Sequence, residues 1–395
     1  MKLHYTLLRE FNRHHYRGFI GRQHLREEIA IKKEKFWLAE YNKQKFLLTD
    51  EMVQKLPIVV INYEPVMYRN KVYNYPSEWK TAKLPPEKFM SFRELVDWFK
   101  LDMSKTDVDG NEYSEDQYEK SLVHNLLYRI IVLAAEIDRI NFRISTNPGF
   151  GKNSMATILG ALMNDVSEAN PRSAAAVEYR LNNKLLVLDE MSNLESSQKQ
   201  LIQNLLLQIG DFSPTYEKGT RATHDTYDIY DISHLSLLIF YNRYEDYVNA
   251  GQEDKFFDNV FTKAVTDRFP AVRFMGTLDQ RQFIKEPNPN DWVLYEEEYK
   301  QVMRTIRWYR QHWREEAKDV SEMMDNYKLY GNRHYQSIYK VLQFIEMYSE
   351  TPDEFKYLTN ELFNAYYAYK KSINGGIEPL TSFQTIDVSE VVKNL

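Results

Sequence analysis

The sequence predicts an α/β fold: a mainly parallel sheet flanked by helices, with an N-terminal α+β region and a C-terminal helical region. Three stretches carry that reading. Residues 140–145 form an apolar-rich strand that runs into a glycine-containing loop. A helix follows, with Met155, Ile158, Leu159, Leu162, Met163 and Val166 at three- to four-residue spacing. Residues 185–188 are all Leu or Val and end at Asp189 and Glu190, the pattern of a strand buried on both faces of a parallel sheet. Residues 235–241 repeat that pattern and end at Asn242.

Composition bounds the chain further. Its 395 residues suffice for two or three domains, and a hydrophobic share of 43% excludes wholesale disorder. The absence of cysteine excludes disulfides, thiolate metal sites and Cys nucleophiles. Basic residues number 51 against 57 acidic, a net charge of −6. That argues against coating nucleic acid through bulk charge and leaves room for a local cationic patch. The longest apolar stretch, 126–137, contains Arg129 and Glu136 and is shorter than the ~20 residues of a spanning helix. A soluble, cytoplasmic protein with no membrane partner is expected.

Taken in order, residues 1–46 hold eleven basic and five acidic side chains, and read as a solvated helical face or as an arm that contacts DNA. Their four histidines show no metal-ligand spacing. Residues 56–61 read as a buried strand with Pro57 at its start, and a Tyr-rich strand or loop extends to Asn74. Pro85 and Pro86 break the chain, and a helix capped by Ser91 runs to about residue 101. Asp109-Gly110 is a turn and not part of a calcium loop, because Lys105 stands where a first ligand is needed. A helix spans 115–137, and a first boundary falls near residue 120. Pro287 and Pro289 mark a second boundary, near 285. Helices at 292–327, 334–348 and 352–373 follow and end at Gly375-Gly376. Three domains result: 1–120, of unknown role, 121–285 and 286–395.

The loop Asn147-Pro148-Gly149-Phe150-Gly151-Lys152-Asn153-Ser154 sits between a strand and a helix, the context that makes a glycine loop a phosphate cradle. Glycines allow successive backbone N–H groups to converge on phosphate oxygens, and the helix N-terminus adds its positive dipole end. Lys152 would reach the β- and γ-phosphates. The usual pattern G-x-x-x-x-G-K-[ST] has Thr146 in place of its first glycine and Asn153 in place of its hydroxyl. Read alone, the stretch also fits a glycine-rich turn with a surface lysine.

The 185–188 strand changes that balance. Ligands bind at the carboxyl ends of strands in open α/β sheets. There Asp189, with Asn153 or Ser154, would hold Mg²⁺, and Glu190 would polarise the water that attacks the γ-phosphate of ATP. The alternative is an acidic pair that opens a helix. Asn242 would orient the attacking water, or is a turn residue. Arg268, with Arg243 and Arg273 as rivals, would reach a neighbouring subunit's γ-phosphate.

In this order the parts resemble the AAA+ class of P-loop ATPases. The matching residues are Gly151-Lys152-Asn153, the strand ending Asp189-Glu190, Asn242 and Asp267-Arg268-Phe269-Pro270. Within the class, the compact spacing looks most like superfamily III helicases of viruses and plasmids. The resemblance covers 121–285. It implies a ring, often a hexamer, that binds ATP between subunits and moves on or remodels nucleic acid, in a host cytoplasm if the chain is viral. It also implies that a hairpin within 211–232 enters the ring channel. Lys218, Arg221 and His224 would then contact phosphates and Tyr216 would stack on a base, unless this is an ordinary surface hairpin. Two other functions fit the same parts: an ATPase that loads, assembles or remodels protein, and a nucleotide-binding scaffold with weak catalysis.

Overall fold

The computed structural model describes residues 3–8, 36–41, 44–49, 60–68, 71–76, 89–163, 166–169, 180–181, 183–189, 196–219, 227–242, 263–279, 296–331 and 333–374. Within the N-terminal stretch, β1 (Leu3–Leu8), β2 (Phe36–Tyr41), β3 (Gln44–Thr49), β4 (Val60–Tyr68) and β5 (Lys71–Pro76) form a sheet of order β3-β2-β1-β4-β5. The described parts of 1–46 are therefore strands rather than a solvated helical face. Phe36, Leu38, Phe46 and Leu48 recur with period two, and among so many charges that alternation is easily missed.

Two short serines start the first helices. Ser91 and Glu94 make a reciprocal capping box for α1 (Phe92–Trp98), and Ser114 with Gln117 does the same for α2 (Glu115–Ile137). From Val123 to Ile137 every residue of α2 is buried. A helix enclosed on every side is an interior helix, and this one buries His124, Asn125, Arg129 and Glu136 among its apolar residues. Helix α2 packs against the central sheet on one side and against the C-terminal helices on the other.

The central sheet consists of β6 (Asn141–Thr146), β7 (Val166–Ala169), β8 (Leu185–Leu188), β11 (Ser236–Asn242) and β12 (Ala271–Phe274). Its order is β12-β6-β11-β8-β7, and every pairing is parallel. Helices α3 (Lys152–Leu162) and α4 (Ser196–Gly210) lie in the crossovers. Period-two alternation gives the sheet two apolar faces. Phe142, Ile144, Val187, Phe240 and Phe274 join the core around α2, while Leu186, Leu188, Ile239 and Ala271 join α4 through Ile202, Leu205, Leu206 and Ile209. Val166 opens β7 instead of ending α3, because Met163 is already extended. Its side chain is buried, so the apolar spacing runs across the boundary.

The antiparallel hairpin β9 (Thr215–Gly219) and β10 (Tyr227–Asp231) precedes β11, and the short α5 (Lys263–Thr266) precedes β12. The C-terminal region contains α6 (Glu296–Glu316), α7 (Ser321–Met324), α8 (His334–Tyr348) and α9 (Pro352–Asn374). One hydrophobic cluster runs from Phe92 through α2 and the sheet to Tyr366, across both expected boundaries. Tyr309, Trp313, Phe344 and Tyr348 are core residues within it. Buried Glu136 pairs with Arg310 of α6, and Asp138 with Lys340 of α8 at 2.7 Å. Among the described residues, no helix is long and apolar enough to cross a membrane.

His124 of α2 is fully enclosed, and its Nδ1 accepts the Met275 N–H at 2.9 Å. Burial, aided by nearby Lys120, pushes its pKa down to about 3. Protonation would place a proton on Nδ1 against that N–H. An unfolded His titrates near ~6.5, so the unfolded chain binds the extra proton first as the solution is acidified. The contribution is complete above that value and declines as pH falls toward the folded pKa. Between pH 7 and pH 5 the wild type is expected to lose about 2 kcal/mol from this group. Urea unfolding of wild type and His124→Gln at both pH values checks this: the glutamine variant should lack that part of the loss.

Candidate functional site

Strand β6 lies between β12 and β11, and the chain leaves it through α3 to reach β7 at the far edge. Connections thus diverge beside β6, which makes its carboxyl end a topological switch point and a natural crevice. Thr146 is the last residue of β6 and is fully buried. The strand occupies the position where the first glycine of the usual motif would stand, so the turn is made by 147–151 alone.

Gly149 and Gly151 both take left-handed backbone conformations, with φ of +79° and +84°. Both are also crowded from outside. A Cβ on Gly149 would lie 2.8 Å from Val108 Cγ1, and one on Gly151 would lie 2.1 Å from Leu278 Cδ1. The Leu278 N–H donates to the Gly149 carbonyl at 2.9 Å, so the segment after β12 braces the loop. Phe150 turns inward, edge-on to Tyr128 and stacked with Phe274. The loop is therefore anchored through its aromatic residue and its glycine carbonyl.

Gly151 is the N-cap of α3 and supplies no side-chain cap, and the first turn contains no acidic residue. A helix start with neither feature keeps its N–H groups and positive dipole end for an external anion. Lys152 opens α3 and is 8% exposed, and its carbonyl accepts a hydrogen bond from the Tyr128 hydroxyl. One residue on, Asn153 Nδ2 donates to Asp189 Oδ2 at 2.7 Å. This contact joins the loop to the end of β8 across intervening β11. Asp189 is itself buried. Because Leu185 and Val187 face the α2 side, alternation turns Asp189 toward the same side as α3.

These groups fit a nucleotide phosphate tail with Mg²⁺. Two positive-φ glycines, an uncapped helix start and a buried lysine suit the anion. Asp189 and the Asn153 amide oxygen are the hard donors that Mg²⁺ prefers. The amide nitrogen of Asn153 already holds Asp189, so this side chain positions the carboxylate as well as offering an oxygen. Among the described residues there is no cluster of three or more His, Asp or Glu able to hold a metal by itself, so phosphate oxygens and water would complete the shell.

The remaining expected residues divide. The backbone of Asn242 pairs with Thr146, one strand from the loop. Glu190, Arg221, His224 and Arg243 lie outside the described residues. Lys218 pairs with Asp228 in the hairpin. Tyr216 is corrected: it is buried against Tyr230 at a centroid distance of 5.9 Å and packs in the α4 core, so it offers no face for a base. Arg273 pairs with Ser145 on β12, at the loop end of the sheet. Arg268 lies before β12, at the opposite end, where its Nε meets Asp211 Oδ1 at 2.9 Å. The four residues of β12, roughly 13 Å of strand, separate it from its own loop. It therefore lies away from its own loop. Sequence reasoning placed Asn153 and Asp189 on one Mg²⁺, and they do lie together. The direct hydrogen bond between them and the braces from Val108 and Leu278 have no local signal in the sequence.

No protein-family model matches the sequence, and no curated protein matches it. Among solved structures, the apo NrS-1 C-terminal region is similar at TM-score 0.28 and 10% identity, over 69% of this chain and 64% of that one. This chain therefore spans less than two thirds of that neighbour. JCV helicase bound to a thiazolopyridine acetamide is similar at TM-score 0.25 and 12% identity, over 70% of this chain and 74% of that one. Overlap this slight gives no information on activity, and the functional argument rests on the site itself.

Proposed function

We propose that the chain is a Mg²⁺-dependent ATPase that works as a ring-forming motor on nucleic acid, of the replication-helicase kind. The observation that supports it most is the 2.7 Å contact between Asn153 and Asp189, which brings a phosphate-loop-like turn and an acidic strand end into one crevice. In this reading the main-chain N–H groups of 149–152 and the Lys152 ammonium bind the phosphates. Asp189 and Asn153 hold Mg²⁺, which when bound neutralises charge on the phosphate oxygens. Glu190, next in sequence to Asp189, accepts the proton of the attacking water, and Asn242 orients that water. Arg268 serves the neighbouring subunit, and Lys218, Arg221 and His224 meet nucleic-acid phosphates from the hairpin.

A steady-state ATPase assay with and without single-stranded DNA, alongside a solution mass measurement, tests this. Turnover is expected to rise several-fold with DNA, in an assembly of several copies. ATP turnover indifferent to DNA, with DNA affinity unchanged by charge reversal at Lys218 and Arg221, would transfer the substrate assignment to protein.

A further inference from the structure

Three segments meet at Asp211: the end of α4, the turn before β12 and the turn before α8. Two glycines permit the approach. A Cβ on Gly210 would lie 2.7 Å from Arg268 Cβ and 2.8 Å from the Phe269 ring. One on Gly331 would lie 2.6 Å from the Asp267 carbonyl oxygen. At this junction Asp211 Oδ1 receives Arg268 Nε at 2.9 Å and Arg333 Nε at 2.6 Å. Arg268 is further tied to the Ala264 carbonyl at 2.5 Å. One carboxylate oxygen therefore gathers two guanidiniums, so among the described residues the contact itself carries one net positive charge. The Arg333 side chain is 49% exposed, so this charge faces outward.

We propose that Arg333 acts beside Arg268 as a second cation on the triphosphate held by a neighbouring copy of this chain, and that Asp211 is the positioning residue for both. The inference rests on the ring-ATPase reading above. The junction and the phosphate loop lie at opposite ends of one parallel sheet, so neither arginine serves its own loop. A head-to-tail contact sets one surface of a copy against a different surface of the next, which brings such distant groups together. A triphosphate carries more negative charge than the single carboxylate of Asp211, so it can attract both guanidiniums, and guanidinium forks match phosphate oxygens. Without Asp211 the two like charges would repel and separate.

The test uses full-length Arg333→Ala, with Lys152→Ala as its complement. Arg333→Ala is expected to melt at the wild-type temperature and bind a fluorescent ATP analogue within about twofold of wild type, while kcat falls roughly 100-fold. Arg333→Lys should recover part of that loss. Asp211→Ala should lower kcat without changing nucleotide affinity, and Asp211→Glu should restore part of it. In an equimolar mixture of Arg333→Ala and Lys152→Ala, about a quarter of interfaces pair an intact loop with an intact Arg333, so about a quarter of wild-type turnover should return. Wild-type kcat in Arg333→Ala, or a mixture no more active than its components, overturns the inference. Failure of the wild type to bind the analogue overturns the ATPase reading itself, and the same titration distinguishes the two.

Discussion

Lys152→Ala is expected to weaken ATP binding roughly 100-fold while the apo protein melts as the wild type does. The ammonium stands at the start of α3 in a site only 8% exposed, where charge is less screened than at an open surface. Its loss removes a charge-assisted bond to the phosphates and leaves only main-chain donors. The fold should tolerate the change. The bond from the Tyr128 hydroxyl goes to the Lys152 carbonyl, which alanine retains. Alanine is also the best helix former for the position. Titration with a fluorescent ATP analogue and a melting curve check the two halves. Unchanged affinity would mean that the loop is a turn and not a phosphate cradle.

Glu190→Gln is expected to have the opposite signature: ATP bound as in the wild type, with turnover lower by on the order of 10²–10⁴-fold. The residue follows Asp189, whose side chain is held by Asn153 against the loop. An amide in its place keeps the shape and hydrogen-bonding capacity but does not take a proton from water. A single-turnover experiment with pre-bound ATP reads this directly, because binding and cleavage separate. Cleavage at the wild-type rate would remove Glu190 from the catalytic role.

Much of the core was legible because its signals are local. Helix α2 spans Glu115–Ile137, as its helical pattern predicts. The strand 185–188 is uniform enough to be read as buried on both faces, and it is. Helix α8 matches its predicted span, His334–Tyr348. Period and capping travel with the chain, so short windows contain them.

Other features depend on which strand lies beside which, and no window contains that. Asn153 and Asp189 are 36 positions apart and meet only because β8 and β6 flank β11. Asp211, Arg268 and Arg333 come from three separate segments, and their meeting relies on close packing at Gly210 and Gly331. Tyr216 shows a different difficulty. Alternation along β9 marks two faces, but only the position of α4 decides that the Tyr216 face is the buried one. The strands within 1–46 were obscured by charge density, which a solvated helix and an outward sheet face share.

The central claim is that the 147–154 loop and Asp189 share one Mg²⁺–triphosphate. The most direct test is ³¹P relaxation of a bound, non-hydrolysable ATP analogue with Mn²⁺ in place of Mg²⁺. Because Mn²⁺ also binds phosphate oxygens directly, the readout is the Mn²⁺ concentration at which the β- and γ-phosphate signals are half broadened, which is expected to rise roughly tenfold in Asp189→Ala with the analogue still bound. The same Mn²⁺ midpoint in both proteins, or no analogue bound by the wild type, would contradict the account.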